Sequence, residues 1–438
     1  MARALTVYLF GVFVGALDMS VIGPAFPLIA RDFGISLTWD AWTVTAYTVA
    51  YATATVLAGA LGDRYGRRLL FALGMLLFGA GSAVAAASGT FAAFLLGRAV
   101  QGAGAGTIFP NAQAEGVRFF PEGRRGLALG IFGAVFGLAS IIGPNVGGAL
   151  AQAFGWPAIF LVNIPLAAVV LLLVPTLPAT PGHGRELPDV VGGLAFAGTV
   201  AGLLLGLTFG GAARSRWTAW AAAALFAALF AYRQRRARTP FLDTGAITGT
   251  AGATLVAGAA IVGLDMAAAV FVPGLAQRAL HFSVFGSGLA VMPAAVSGAV
   301  LAGVGGVLVD RIGPRRVLQI GLAAGAVGGV LLALPHLTVA RFMVAMAFFG
   351  MGTAFTMGAP LNRIALALYR DERAGEALSL VAVFRTIGLA AGPVLLAVAA
   401  RHAGDAGLFG TVTLASLAGI LLFSRVRDVR AAAGEAAS

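Results

Sequence analysis

Two carboxylates in this chain stand where carboxylates are costly. Asp18 interrupts an apolar run from Leu5 to Ile29, and Asp265 interrupts a second apolar run; each is the centre of a Leu-Asp-Met triplet. A charge at mid-bilayer depth costs about 2.5–3.5 kcal/mol on insertion scales, so residues of this kind are retained for work. Two arginines share the pattern: Arg98 within LLGRAVQGAGAG and Arg385 within LVAVFRTIGLAAGP. The chemistry open to such pairs is proton binding and release. Desolvation favours the neutral carboxyl and a nearby guanidinium favours the ionised one, so a change of surroundings moves a proton. The bland alternative is a static ion pair joining two helices, and for Asp265 a cation-binding carboxylate is a further alternative. Few uncharged polar groups accompany them; Gln101, Asn111, Gln113, Asn145 and Asn163 are the amides in apolar stretches.

Two glycine-bearing constellations follow. Gly59 to Arg68 reads GALGDRYGRR, and GGVLVDRIGPRR repeats it at 305–316. Gly59, Leu61, Asp63, Arg64 and Gly66 recur as Gly306, Leu308, Asp310, Arg311 and Gly313, and basic residues follow in both copies, Arg67 in the first and Arg315 in the second. The glycines permit close approach and a tight turn. Asp63 and Asp310 are suited to accept from the free N–H groups of a helix N-terminus, here expected near Gly375 and Gly126 of the opposite half. The second constellation is Gly143-Pro144-Asn145-Val146-Gly147-Gly148. Its glycines let helices pack closely, and Pro144 removes a backbone hydrogen bond and bends the segment. Other chemistries are excluded. The four histidines lack ligand spacing, no cysteine exists, Gly102-x-Gly104-x-Gly106 follows no strand, and neither a Walker loop nor a nucleophile elbow occurs. The expectation is a protein that is not an enzyme and has no cofactor.

The elements that must position these groups are set by hydropathy. Hydrophobic residues make up 59% and charged residues 11% of 438, more apolar surface than one soluble core of this size hides. Fourteen apolar stretches are long enough to cross about 30 Å of hydrocarbon. They run near 4–29, 39–62, 69–88, 91–114, 123–152, 156–176, 190–211, 217–234, 250–277, 284–309, 315–334, 339–361, 374–400 and 404–424. The first is read as a membrane helix and not as a cleaved leader, because Asp18 interrupts it and no small-x-small site follows. The pair 190–211 and 217–234 is the weakest, since the Ala-rich second member also suits a helix lying flat.

The net charge of +12 comes from arginine, with no lysine. Most arginines fall on one side: 63–68, 118–125, 233–238, 310–316, 363–373 and 425–430. The positive-inside rule makes that side, with both termini, cytoplasmic. This is a topology signal, so nucleic acid is not an expected partner. Residues 177–189 form a Pro/Gly-rich linker and 233–240 a basic one. The expected domains are therefore 1–180 with six spans, 181–245 with two extra spans, and 246–438 with six. The interval from Asp18 to Asp265 equals that from Asp63 to Asp310, and Gly143-Pro144 returns as Gly392-Pro393 at nearly the same interval. Such internal repeats build many secondary transporters, with the substrate site near the midplane between halves.

At these residues the chain resembles the major facilitator superfamily, over nearly its whole length. LDMSVIGPAFPLI at 17–29 looks like the first-span motif of its drug:proton antiporters, and WTVTAYTVAYA at 42–52 resembles their second span. LLGRAVQGAGAG matches their fourth-span Arg-x-x-Gln-Gly motif, GPNVGG their antiporter motif, and the layout the fourteen-helix branch. Ser20, Gly23-Pro24, Ala139 and Pro314 depart from the usual patterns and bear on substrate more than on fold. The resemblance implies two pseudo-symmetric six-helix bundles plus two helices, all α. It implies that Asp18 is the protonatable group modulated by Arg98, that the Asp63 and Asp310 corners form a cytoplasmic gate, and that the bend at Pro144 goes with export. The expected function is proton-coupled antiport of amphipathic small molecules out of the cell, by a monomer in the cell membrane contacting substrate, protons and lipids. The rivals are a facilitator or symporter importing a polar metabolite, and a non-transporting receptor or scaffold.

Overall fold

The computed structural model describes residues 2–121, 125–179, 182, 187–209, 212–242, 249–357, 359–368 and 374–424. Every regular element among the described residues is a helix. The chain divides into two compact units: Met1–Phe241 with Ser283–Gly288, and Leu242–Phe282 with Leu289–Ser438.

In the first unit the order is α1 (Ala2–Val21), α2 (Phe26–Phe33), α3 (Leu37–Asp40), α4 (Trp42–Tyr65), α5 (Arg67–Ala86), α6 (Phe91–Arg118), α7 (Arg125–Phe154), α8 (Pro157–Leu161), α9 (Asn163–Leu173), α10 (Val190–Phe209) and α11 (Ala213–Arg236). Its core joins Tyr8 and Val12 of α1 to Phe71, Met75 and Phe78 of α5, Ile108 of α6, Phe132 of α7 and Val170 of α9. Close helix approach rests on α6. A Cβ at Gly97 or Gly104 would meet the backbone of α5, and one at Gly102 or Gly106 the carbonyls of Tyr47 and Tyr51 in α4. Small residues at helix interfaces are how apolar helices gain contact in lipid, where hydrophobicity alone drives no association.

The second part of the chain gives α12 (Gly249–Ala267), α13 (Val272–Leu280), α14 (Val284–Ala290), α15 (Met292–Ile312), α16 (Pro314–Ala333), α17 (Val339–Thr356), α18 (Ala359–Leu368) and α19 (Ala374–Ser424). Leu255, Ala259 and Val262 of α12, Leu318 and Leu322 of α16, Leu361 and Ile364 of α18, and Val381 and Phe423 of α19 form its core.

Several expected spans are broken. The first stops at Val21, turns through a 3-10 segment at Gly23–Ala25 and resumes as α2. Pro24 and Pro27 lack the N–H that would continue the ladder. The stretch 250–277 breaks in the same way after its Leu-Asp-Met triplet, at Ala268–Val270 before Pro273. Each acid therefore lies near the end of a helix, not in the middle of an unbroken one. The expected loop Gly59–Arg68 is also shorter than read: helix runs to Tyr65 and restarts at Arg67, leaving Gly66 as the turn.

Eleven helical stretches among the described residues are long and apolar enough to cross a membrane. The helices α6 and α11 fall outside that set although both exceed twenty residues. Non-helical dihedrals at Ala403 and Gly404 break α19 between the last two expected spans. The helices α10 and α11 pair antiparallel, with Gly198 against Phe226, Gly202 against Ala223 and Gly206 against Trp220. The pair docks on α4 through Trp42 Nε1, which donates to Thr208 Oγ1 at 2.9 Å. Asp189 accepts from Gly192 N at the start of α10 and from Arg233 of α11 at 2.7 Å. The basic stretches expected at 118–125, 363–373 and 425–430, and His183 of the linker, lie partly or wholly outside the described residues.

Candidate functional site

Six helices of the first unit, α1, α4, α5, α6, α8 and α9, contribute to the network around Asp18. Its carboxylate is 1% exposed and accepts three hydrogen bonds. Arg98 Nη1 of α6 donates to Oδ2 at 2.9 Å; Gln101 Nε2 of α6 and Asn163 Nδ2 of α9 each donate to Oδ1 at 2.8 Å. The spacing of Arg98 and Gln101, one turn apart, puts both on the face of α6 that meets α1. Asn163 heads α9 because the chain turns at Val162, between α8 and α9. The guanidinium, also 1% exposed, is satisfied on every side: Nε donates to the Thr43 carbonyl of α4 at 3.0 Å, and Nη1 also meets Gln101 Oε1. Its carbon lies 4.4 Å from the centre of the Tyr47 ring and 5.5 Å from that of Phe160, within cation–π range. Gln101 Nε2 completes the set with Ser82 Oγ of α5 at 2.7 Å.

An acceptor of three N–H bonds matches an ionised carboxylate, which has only lone pairs to offer. A proton added to either oxygen would turn an acceptor into a donor facing N–H groups, a clash relieved only if the Gln101 or Asn163 amide turns its carbonyl oxygen to the acid. The network must then rearrange, and Arg98 loses its counter-charge.

The other expected residues fall apart from this network. Asn145 is half-buried on α7; its Nδ2 donates to the Ile141 carbonyl at 2.9 Å, and its buried Oδ1 has no partner. In the second unit Asp265 accepts from Ser416 Oγ at 2.7 Å, and its Oδ1 is buried without a partner. No ion pair joins it to Arg385 among the described residues, so the static Asp265–Arg385 pair is not formed. Arg385 instead presents its backbone carbonyl to the space beside Gly263, where α12 and α19 touch.

The antiporter-like glycines hold α7 against the end of α1. A Cβ at Gly143 would strike Ser20 Oγ, one at Gly147 the Val21 carbonyl, and one at Gly148 the backbone of Val284 and Phe285, a segment of the same unit. Ser20 Oγ donates to the Ala139 carbonyl at 3.1 Å, so the two departures from the motif pattern meet each other. At the first corner Asp63 is exposed and bound by Arg67 at 2.8 Å, and Arg64 lies over the Tyr65 ring. At the second, Asp310 meets Arg363 at 3.3 Å, Arg315 donates to the Ser424 carbonyl, and Arg311 is exposed. Gly66 and Gly313 have φ of 95° and 90°. Pro314 fits its copy because it takes the first helical position, where no N–H is needed. Nothing lies within 4 Å of where a Cβ would sit at Gly59 or Gly306; the tight glycine of the first corner is Gly62, against Asn111. The helix starts near Gly126 and Gly375 expected to face Asp63 and Asp310 adjoin residues outside those described.

The sequence matches the profile of the Major Facilitator Superfamily over residues 8–393 and again over 254–437. The chain belongs to this superfamily. Among its relatives are the MFS-type transporter YfiU of Bacillus subtilis, 30% identical over 90% of this chain and 79% of its own, and the puromycin resistance protein pur8 of Streptomyces alboniger, 31% identical over 87% and 78%. The riboflavin transporter RibZ of Clostridioides difficile is 27% identical over 89% and 86%. Among solved structures, a peptide transporter POT bound to sulfate superposes with a TM-score of 0.72 at 15% identity, over 97% of this chain and 94% of that one, a likeness of fold. As a major facilitator the chain is a multi-pass membrane transporter of a small-molecule substrate, and not an enzyme.

Proposed function

We propose that the protein is a proton-coupled antiporter of the fourteen-helix drug:proton branch, exporting amphipathic small molecules across the cell membrane. The observation that carries this reading is the buried Asp18–Arg98–Gln101–Asn163 network, because ionisable groups kept this deep in membrane helices mark proton or substrate pathways more often than static pairs. Protonation of Asp18 releases Arg98, and loss of the proton rebuilds the network, so the two states favour different packings of α1 against α6. Counting α6, α11 and both parts of α19 as crossings gives the fourteen-helix layout, with 1–180 and 246–438 as rocking halves around 181–245. The arginine-rich corners at Gly66 and Gly313 then face the cytoplasm with both termini, and their residues Asp63 and Asp310 serve as the cytoplasmic gate.

Substrate class rests on two supports. Amides and hydroxyls available in the helices are few and mostly spent on their own backbone, and relatives include proteins named for puromycin and multidrug resistance. RibZ, named for riboflavin, favours a second reading in which a polar, aromatic metabolite is carried. Reconstituted protein given an outside-acid pH gradient separates these. Asp18→Asn is expected to abolish gradient-driven movement of ethidium or puromycin in a protein that still folds and reconstitutes, with a lowered unfolding midpoint because Arg98 loses its buried counter-charge; unchanged coupling defeats the reading, and gradient-driven riboflavin movement alone selects the second.

A further inference from the structure

Asp40 takes no part in the cycle above, yet it is as deeply enclosed as the groups in it. It closes α3 and is 0% exposed. One carboxyl oxygen accepts from Thr43 Oγ1 at 3.3 Å; the other, Oδ2, is buried with no hydrogen-bond partner. The helices packed against α3 are α2 and α4, whose ionisable groups nearest this turn are Arg31, Asp32 and Tyr47; Phe209 of α10 lies against Trp39, and Arg98 of α6 reaches the carbonyl of Thr43 beside it. Asp32 accepts from Trp156 Nε1 at 2.7 Å, Tyr47 lies under Arg98, and Arg98 is bound to Asp18; none forms an ion pair with Asp40. Burying a carboxylate with no cation opposite costs several kcal/mol, and a proton is the counter-charge that removes that cost. A buried polar atom without a partner calls for a physical account, and for a carboxyl oxygen a bound proton is one.

Its position says which use. The Asp40 N–H donates to the carbonyl of exposed Ser36 at 2.9 Å, so one helical turn separates the carboxyl from the surface loop. On the other side Thr43 touches both acids' surroundings: its hydroxyl donates to Asp40 and its carbonyl accepts from Arg98 Nε at 3.0 Å. We propose that Asp40 is a second proton-binding carboxyl group, loading the Asp18–Arg98 network from the α3 end of the unit. A proton from water binds the free Oδ2 and is held there as the neutral acid. When Asp18 separates from Arg98, the proton passes to the Asp18 carboxylate; Asp40 is left ionised and is refilled from water. This rests on the proton-coupling reading above.

Two measurements on the full-length protein test it. Infrared titration of purified protein in detergent is expected to show a protonated-carboxyl C=O stretch that D40N removes and D18N retains; no such band, or one insensitive to D40N, overturns the proposal. In proteoliposomes with ethidium or puromycin as probe, D40N is expected to keep equal-pH counterflow within about twofold while slowing gradient-driven flux about fivefold or more and flattening its pH profile. D40E is expected to restore the profile. A D40N profile like the wild type beside an uncoupled D18N overturns this inference alone. Equal loss of counterflow and gradient drive that D40E does not rescue assigns Asp40 a structural role and also overturns it. A wild type without gradient drive defeats the proton-coupling reading, and this inference with it.

Discussion

Arg98 is the residue on which most of the buried polar chemistry turns. It meets a carboxylate, an amide, a backbone carbonyl and two aromatic faces, so no smaller cation replaces it without leaving groups unpaired. Arg98→Ala strips Asp18 of its counter-charge and is expected to destabilise the folded protein by about 3–5 kcal/mol, read as a lowered unfolding midpoint in detergent. Asp18, Arg98 and Gln101 were legible in the sequence because each breaks an apolar run, and a break of that kind is conspicuous. Asn163 was visible only as one amide among several, and Ser82 and the Thr43 carbonyl not at all. A serine in a helix usually bonds its own preceding turn, as Ser82 also does to Phe78, and a backbone acceptor has no side chain to announce it. Asn145 was visible as one amide among several, and the structure uses only half of it, Nδ2 on the α7 backbone with Oδ1 left without a partner.

Among elements, the corners between paired helices carry the sharpest local demand. Gly66 sits at φ 95°, a region that L side chains avoid, whereas Gly59 is helical with open space before it. Gly66→Ala is therefore expected to cost about 1–2 kcal/mol of stability, and Gly59→Ala less than about 0.5 kcal/mol while still impairing transport; thermal unfolding and flux assays together separate the two. The repeat in the sequence located both corners, but read them as loops, since hydropathy falls at the arginines before the helix ends. The same averaging hid the breaks after Asp18 and Asp265. Pro24 and Pro273 were in plain view, but apolar prolines leave a hydropathy window unchanged while removing a backbone donor. In the opposite direction, α6 and α11 are long helices with hydropathy diluted by glycine, arginine and amides.

For the molecule as a whole, the repeat legible in the sequence predicts kinship between halves, and the two acids measure how far they have diverged. Asp18 is tied by three donors from two helices; Asp265 has one hydroxyl. Asp265→Asn is accordingly expected to change stability by about 1 kcal/mol, well short of the Arg98→Ala effect, in the same unfolding assay. Similar opposition of demand appears along α4. Its 24 residues form one rod of about 36 Å without an interruption. At one tip it is hinged to α5 through a lone glycine, and near the other its carbonyl at Thr43 grips Arg98 while Trp42 grips the α10–α11 hairpin. A stiff rod held this way transmits an axial push with little loss. Pressure on the Gly66 corner would thus be felt as tension on the guanidinium at the far end, with no side-chain relay needed in between.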